Sequence, residues 1–197
     1  MSKLLTLSIL LSTLLLGTLA WSQDLGRGWD AYNKGDYATA LREWKPLAEQ
    51  GDTAAQFNLG WMYGEGLGVP EDVQQAVKWY RRSADQGDAS AQYTLGLIYN
   101  QGRGVPQDFK QAVEWYRRSA EQGHAMAMGN LAVLYENGDG VLQDDVLAYM
   151  WGNLGAAEGD FIGEVARGLV SKRMTPSQLE EAQRRSRECL RKNYKVC

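Results

Sequence analysis

Few residues in this 197-residue chain have the type and spacing to do chemistry. His124 is the only histidine, so any histidine-based triad would have to use it. It follows Gly123 at a turn and reads as a solvated turn residue, in a place where Asp52 and Asp88 stand upstream. No Ser-x-x-Lys occurs, so a serine acyl-transfer site lacks its usual nucleophile signature. His-Glu-x-x-His and Cys-x-x-Cys are missing as well, which leaves a zinc site unsupported. Gly66 and Gly68 suggest a loop that cradles phosphate, yet no Lys-Ser/Thr follows them and the pair recurs at a fixed spacing. Such recurrence marks a linker, not a phosphate loop. Asp72, Asp108 and Asp144 stand near helix starts, where a carboxylate complements the helix dipole and unpaired N–H groups. Calcium would need several oxygens converging on one loop. The reading assigns no catalytic, cofactor or metal residues and expects a protein that is not an enzyme.

Cys189 and Cys197 are the only cysteines. In an oxidising compartment they are candidates for a disulfide. A zinc pair of free thiols is the alternative, but His124 is far away in sequence. The compartment is suggested by residues 1–22. Lys3 sits beside the amino terminus, Leu4 to Ala20 is an apolar run, and small residues follow at Ala20 and Ser22. This is the pattern of a secretory signal peptide, with cleavage after Ala20 or Ser22. A retained anchor is the alternative, although the run is short for a span of about 20 residues. The expectation is an exported protein, periplasmic or secreted, with no transmembrane segment in the mature chain.

Composition narrows the classes further. Aromatics are 10% of the chain, too many for a disordered segment. Only 4 prolines and 2 cysteines exclude collagen and disulfide-knot classes. The net charge of -3 argues against sequence-independent nucleic-acid binding, which needs a basic face. Charge is uneven. Residues 23–170 carry 12 Lys and Arg against 21 Asp and Glu, whereas residues 171–197 carry 8 against 3. The basic end includes Arg184, Arg185, Arg187, Arg191 and Lys192. It reads as a solvated capping helix, with a weak contact to an anionic surface as the alternative.

The elements that must position these residues are repeats. Ala55-Gln56-Phe57-Asn58-Leu59-Gly60 recurs as Ala91-Gln92-Tyr93-Thr94-Leu95-Gly96, and more weakly as Ala127-Met128-Gly129-Asn130-Leu131-Ala132, 36 residues apart each time. Trp79, Trp115 and Trp151 keep the same period, as do Gly66, Gly102 and Gly138. Each unit reads as two helices. The first runs from about Ala54 to Tyr63, with Ala55, Leu59 and Tyr63 on one stripe. The linker from Gly64 to Pro70 cannot stay helical. A second helix starts near Glu71 and stops at Gly87, with Ala76, Trp79, Tyr80 and Ala84 on its buried face. A shorter unit precedes these, with a linker five residues shorter. Downstream, Phe161 to Lys172 reads as a helix, and Thr175-Pro176-Ser177-Gln178 starts a last one that runs to about Lys192. Ten helices stacked in pairs make an all-α solenoid, in which no unit buries its faces alone. The expected divisions are a signal peptide at 1–22, a first hairpin at 23–53, repeats at 54–89, 90–125 and 126–161, and capping helices with a tail at 162–197.

The pattern Ala-Gln-x-x-Leu-Gly-x-x-Tyr, Gly-x-Gly-Val-Pro-x-Asp, Ala-Val-x-Trp-Tyr-Arg-Arg-Ser-Ala-x-Gln-Gly resembles the Sel-1-like repeat, a relative of the tetratricopeptide repeat. The third copy departs from it: Leu142 replaces the linker proline and Gly152 the second aromatic. The resemblance implies a right-handed superhelix that binds other proteins or peptides. It also implies that first-helix positions line a concave groove. In this chain those are Phe57, Trp61, Tyr93, Leu97 and Val133, continued by Glu65, Asn100, Gln101, Glu136 and Asn137. At about 100° per residue, Phe57 and Trp61 lie far around the helix from Ala55 and Leu59. Packing of both rings against the preceding repeat is the alternative. The expected function is a non-catalytic interaction scaffold of the cell envelope or extracellular space. Two rivals stand beside it: a β-lactam-binding or β-lactamase-like hydrolase, as some cysteine-rich exported relatives are described, and a structural part of an envelope assembly.

Overall fold

Glycine and alanine at fixed spacing set this architecture, because they decide how closely helices can approach. The computed structural model describes residues 25–195 and Cys197; the proposed signal peptide lies outside them. Ten helices are present among the described residues, and no strand. They are α1 (25–33), α2 (Tyr37–Glu49), α3 (Thr53–Glu65), α4 (Val73–Asp85), α5 (Ala89–Gln101), α6 (Phe109–Ala120), α7 (Ala125–Asn137), α8 (Asp145–Ala157), α9 (Phe161–Ser171) and α10 (Pro176–Arg191). The chain forms two compact units, one ending at Arg82 and one beginning at Ser83.

The repeated aspartates cap helices. The carboxylates of Asp52, Asp88, Asp108, Asp144 and Asp160 each accept a backbone N–H from the first turn that follows. A carboxylate there satisfies an orphan donor and favours the helix dipole. Asp72 does the same for Gln75 N–H at 2.9 Å, so α4 starts two residues after Glu71, where sequence placed it. The first helices run on to Glu65, Gln101 and Asn137, past the point where Gly64 was expected to end the first of them. The stop is instead Gly66, Gly102 and Gly138, at φ 66°, 67° and 80°. This left-handed conformation favours glycine.

In the first unit, Gly28 lies under the Trp44 indole, where a Cβ would overlap the ring. That close approach buries Trp44, whose indole N–H donates to the Leu25 carbonyl at 3.1 Å. Gly60 likewise lies against the Tyr80 ring, and in the second unit Gly96 lies against Tyr116. The Ala-Gln signature has a structural role too. Gln56 Nε2 donates to the Ala48 carbonyl and Gln92 Nε2 to the Ala84 carbonyl, both at 3.0 Å. Each buried amide thus satisfies a carbonyl at the end of the preceding helix.

In the second unit α8 packs between α7 and α9, and α10 packs on α8. Gly152 and Gly163 bring α8 and α9 together backbone to backbone, since a Cβ on either would meet the other's carbonyl oxygen. This explains why the third copy gives up the second aromatic: α9 occupies the space where the ring would be. Trp115 and Trp151 are buried, as the second-helix face requires. Trp79 differs. It is only partly buried against the first unit's core, with the Arg82 guanidinium 4.6 Å over its ring.

Candidate protein-binding site

Two apolar surfaces stand out, one in each unit. In the first, Trp29 and Tyr32 of α1, Trp44 of α2, and Phe57, Asn58 and Trp61 of α3 line a cavity of about 260 Å³. The walls are aromatic and set edge to face, with ring centroids 5.2 Å apart for Trp29–Trp44 and 5.6 Å for Trp29–Tyr32. Such pairs hold their geometry. Trp61 is 41% exposed, and its indole N–H donates to the Tyr32 hydroxyl at 3.0 Å. Phe57 is half-buried, its ring 5.5 Å from that of Tyr80. Trp61 thus bonds to the preceding hairpin through Tyr32, whereas the ring next to Phe57 is Tyr80 of its own repeat, and both side chains line the cavity.

Asn58 sits in the wall of that box. It is 5% exposed, and its Nδ2 has no hydrogen-bond partner among the described residues. The equivalent Asn130, 72 residues on, turns its Nδ2 back to the Met126 carbonyl at 2.8 Å. Asn58 does not.

In the second unit, Val133 and Glu136 of α7 line another cavity of about 260 Å³ together with Phe161, Ile162, Val165 and Leu169 of α9. Phe161 is 74% exposed, and the other three α9 side chains are also exposed. Glu136 is paired with Arg173 at 3.5 Å, and Arg173 also binds Asp145. These partners hold the guanidinium charged, its pKa raised first by the hydrogen bond to Asp145. Sequence reasoning missed the α9 residues. The signal was there: Val165 and Leu169 lie 36 residues after Gly129 and Val133, a fourth copy of the same positions. Trp29 and Tyr32 gave no such signal, because the shorter first linker breaks the period.

The remaining groove candidates separate. Tyr93 is half-buried in a ring stack, 4.8 Å from His124 and 5.8 Å from Tyr116. Burial, and then the negative charge of Asp160, raises its phenol pKa. Leu97 and Asn100 are half-buried, whereas Glu65, Gln101 and Asn137 are exposed at helix ends. The Asn100 carbonyl accepts from Gln107, and the Asn137 amide donates to Asp139.

His124 is not a solvated turn residue. It is half-buried and caps α7, with Nδ1 accepting the Ala127 N–H at 3.4 Å. Burial lowers its pKa; the charges of Asp88 and Asp160 oppose that. At the carboxyl end Cys189 and Cys197 are joined as a disulfide, Cα atoms 5.2 Å apart. Arg184 pairs with Glu181 and Glu188, and Arg185 with Glu181, so part of the basic charge on α10 is balanced on its own helix. No cluster of three or more potential metal ligands occurs among the described residues. No helix among them is long and apolar enough to cross a membrane.

The Sel1 repeat pattern matches residues 53–88, 89–124 and 125–160. The chain is similar to the crystal structure of a Sel1 repeat protein from Oxalobacter formigenes: 34% identity over 74% of this chain and 60% of that one, with a TM-score of 0.70. It is also similar to a protective antigen of uropathogenic Escherichia coli strains that displays an SLR fold. There the identity is 30% over 79% of this chain and 41% of that one, with a TM-score of 0.52. The chain thus spans less than two thirds of either structure's length. No curated protein matches it.

Proposed function

This chain belongs to the Sel1 repeat family, and from that premise we propose that it is a non-catalytic scaffold that captures a protein segment on its exposed apolar surfaces. Sel1 repeats typically serve as protein–protein interaction scaffolds. The observation that carries the reading is the aromatic box of the first unit, where large rings stand open at first-helix positions. Exposed apolar area rimmed by polar groups marks partner sites, and tryptophan and tyrosine dominate binding energy when a partner covers them. Val133 with the α9 stripe is a second apolar surface of the same kind.

The partner is a peptide or protein and not nucleic acid, since the chain carries a net negative charge. The disulfide and the apolar amino-terminal run together support an exported protein, in the periplasm or outside the cell.

The test is selection of a random peptide library on the pure protein, followed by calorimetry of the winners. Trp61→Ser should weaken them about tenfold or more, on the scale of interface hot spots. Leu142→Ser, at a residue 90% exposed, should not. Winners indifferent to both Trp61→Ser and Leu169→Ser would place the site elsewhere. Turnover of a chromogenic β-lactam by the pure protein would overturn the non-catalytic reading.

A further inference from the structure

In two repeats a glycine of the first helix receives a tyrosine ring from 20 residues downstream: Gly60 meets Tyr80 and Gly96 meets Tyr116. Gly168 of α9 holds the same repeat position, 72 residues after Gly96. The residue 20 after it is Glu188, which pairs with Arg184 on its own helix. Nothing covers Gly168: a Cβ there would meet no atom within 4 Å. A glycine inside an exposed helix weakens that helix. Gly152 and Gly163 return the loss as close helix packing, and Gly168 returns nothing within this chain.

The residues around Gly168 select what covers it. At about 100° per residue, Phe161, Glu164, Val165 and Lys172 lie within about 60° of it around the α9 axis. All five are exposed. Glu164 stands four residues before Gly168 and Lys172 four after it. Neither side chain has an ion pair or hydrogen bond among the described residues, whereas Arg173, Arg184 and Arg185 are all paired. Each charge suits its end of the helix dipole. The dipole does not require an open glycine midway between them, on the same face as two exposed apolar side chains. That arrangement is self-complementary. When two copies of α9 cross antiparallel at Gly168, Glu164 of each copy is level with Lys172 of the other, about 6 Å along the axis from the crossing. Opposite charges then meet twice, and the two glycines let the backbones approach. Parallel pairing would set Glu164 against Glu164 and Lys172 against Lys172, which repel. A lipid surface would cover Phe161 and Val165 but leave both charges unmatched.

We propose that α9 forms the interface of a twofold homodimer, pairing antiparallel with α9 of a second copy across Gly168. The aromatic box of the first unit takes no part in it, so this inference and the protein-capture reading fail separately.

Sedimentation velocity of the full chain over a concentration series tests it. The expected result is a monomer–dimer equilibrium with a dissociation constant of about 10–100 μM, since one helix face is a small interface. Glu164→Lys and Lys172→Glu should each weaken the dimer about tenfold or more, and the effect should shrink at high salt. An equimolar mixture of the two variants should dimerise like the parent, because each copy then carries the charges the other needs. The double variant Glu164→Lys/Lys172→Glu should also dimerise like the parent, which a parallel pairing would not allow. Gly168→Gln should abolish the dimer while its monomer melts no lower, because a Cβ there meets nothing.

A chain that stays monomeric at about 1 mM, the weak end of the affinity scale, overturns the proposal. So does a dimer indifferent to Glu164→Lys and Gly168→Gln, which would place the interface elsewhere. Binding of a monomeric chain to phosphatidylcholine vesicles, lost in Phe161→Ser, would make the stripe a membrane contact and overturn it as well.

Discussion

His124 shows how one substitution in a repeat changes a physical property. Asp52 and Asp88 cap with a carboxylate, whereas the third copy caps with a neutral imidazole nitrogen. A protonated Nδ1 cannot accept a hydrogen bond. The folded state lowers this pKa, first through burial, so the unfolded chain binds the proton more readily. Stability from the cap is therefore full above the ordinary histidine pKa of about 6.5 and is lost as pH falls below it. His124→Asn keeps an acceptor that does not titrate. Thermal melts should show the parent falling behind this variant by about 1 kcal/mol between pH 7 and 5, with the gap closed near pH 8. A constant gap across that range would contradict the assignment. The tryptophans divide in the same manner. Trp115→Ala should cost roughly 3–5 kcal/mol in denaturant titration, because the ring is only 4% exposed. Trp79→Ala should cost less than Trp115→Ala, since Trp79 keeps one side in solvent under Arg82. Equal losses would mean that Trp79 is core. The period placed both rings on one face; it could not say that a neighbouring helix covers only one of them.

At the scale of elements, α10 is the clearest case. Thr175 and Gln178 form a reciprocal capping box, and Pro176 begins the helix. All three are legible in the order Thr-Pro-Ser-Gln. Thr175→Ala should cost about 1 kcal/mol and is read by chemical denaturation. At the other end the disulfide ties Cys197 back to the buried Cys189. The loop is short, so a chain-entropy model gives a gain of about 2–3 kcal/mol. Intact mass without reductant should be two hydrogens light, and quantitative alkylation of native protein would contradict the bridge. Tyr194, between the cysteines in sequence, donates to Glu158. That hydrogen bond pushes its phenol pKa up to about 12.

At the scale of the whole molecule, the proposed function rests on apolar surface that the fold leaves uncovered. Trp61→Ser with Leu169→Ser should leave the melting temperature within a few degrees, because both side chains are already more than 40% exposed. The same double variant should lose peptide affinity. Collapse of the melting transition would make these residues core. Tyr93 does not belong in that test: stacked on His124 and Tyr116, its removal would damage packing. The proposed export is tested on the chain as made. Amino-terminal sequencing of protein recovered from the cell envelope should begin near Trp21 or Gln23, and a retained Met1 would count against cleavage.

The 36-residue period by itself pointed to the family and the helix pairs and placed Asp72, Asp108 and Asp144 at helix starts, but it ended the first of the paired helices two residues early, at Gly64 and not at Gly66. Each of those depends on local chemistry: backbone donors at a helix start, a left-handed residue at its end, small residues beneath rings. Tertiary structure alone decided which of the proposed groove residues are exposed. Whether Phe57, Tyr93 or Val133 faces solvent depends on what the next helix places beside it, and the same repeat position meets Tyr80, His124 or α9 in turn. Asn58 and Asn130 are identical in sequence and in repeat position, and only the folded chain shows one amide satisfied and the other buried without a partner among the described residues.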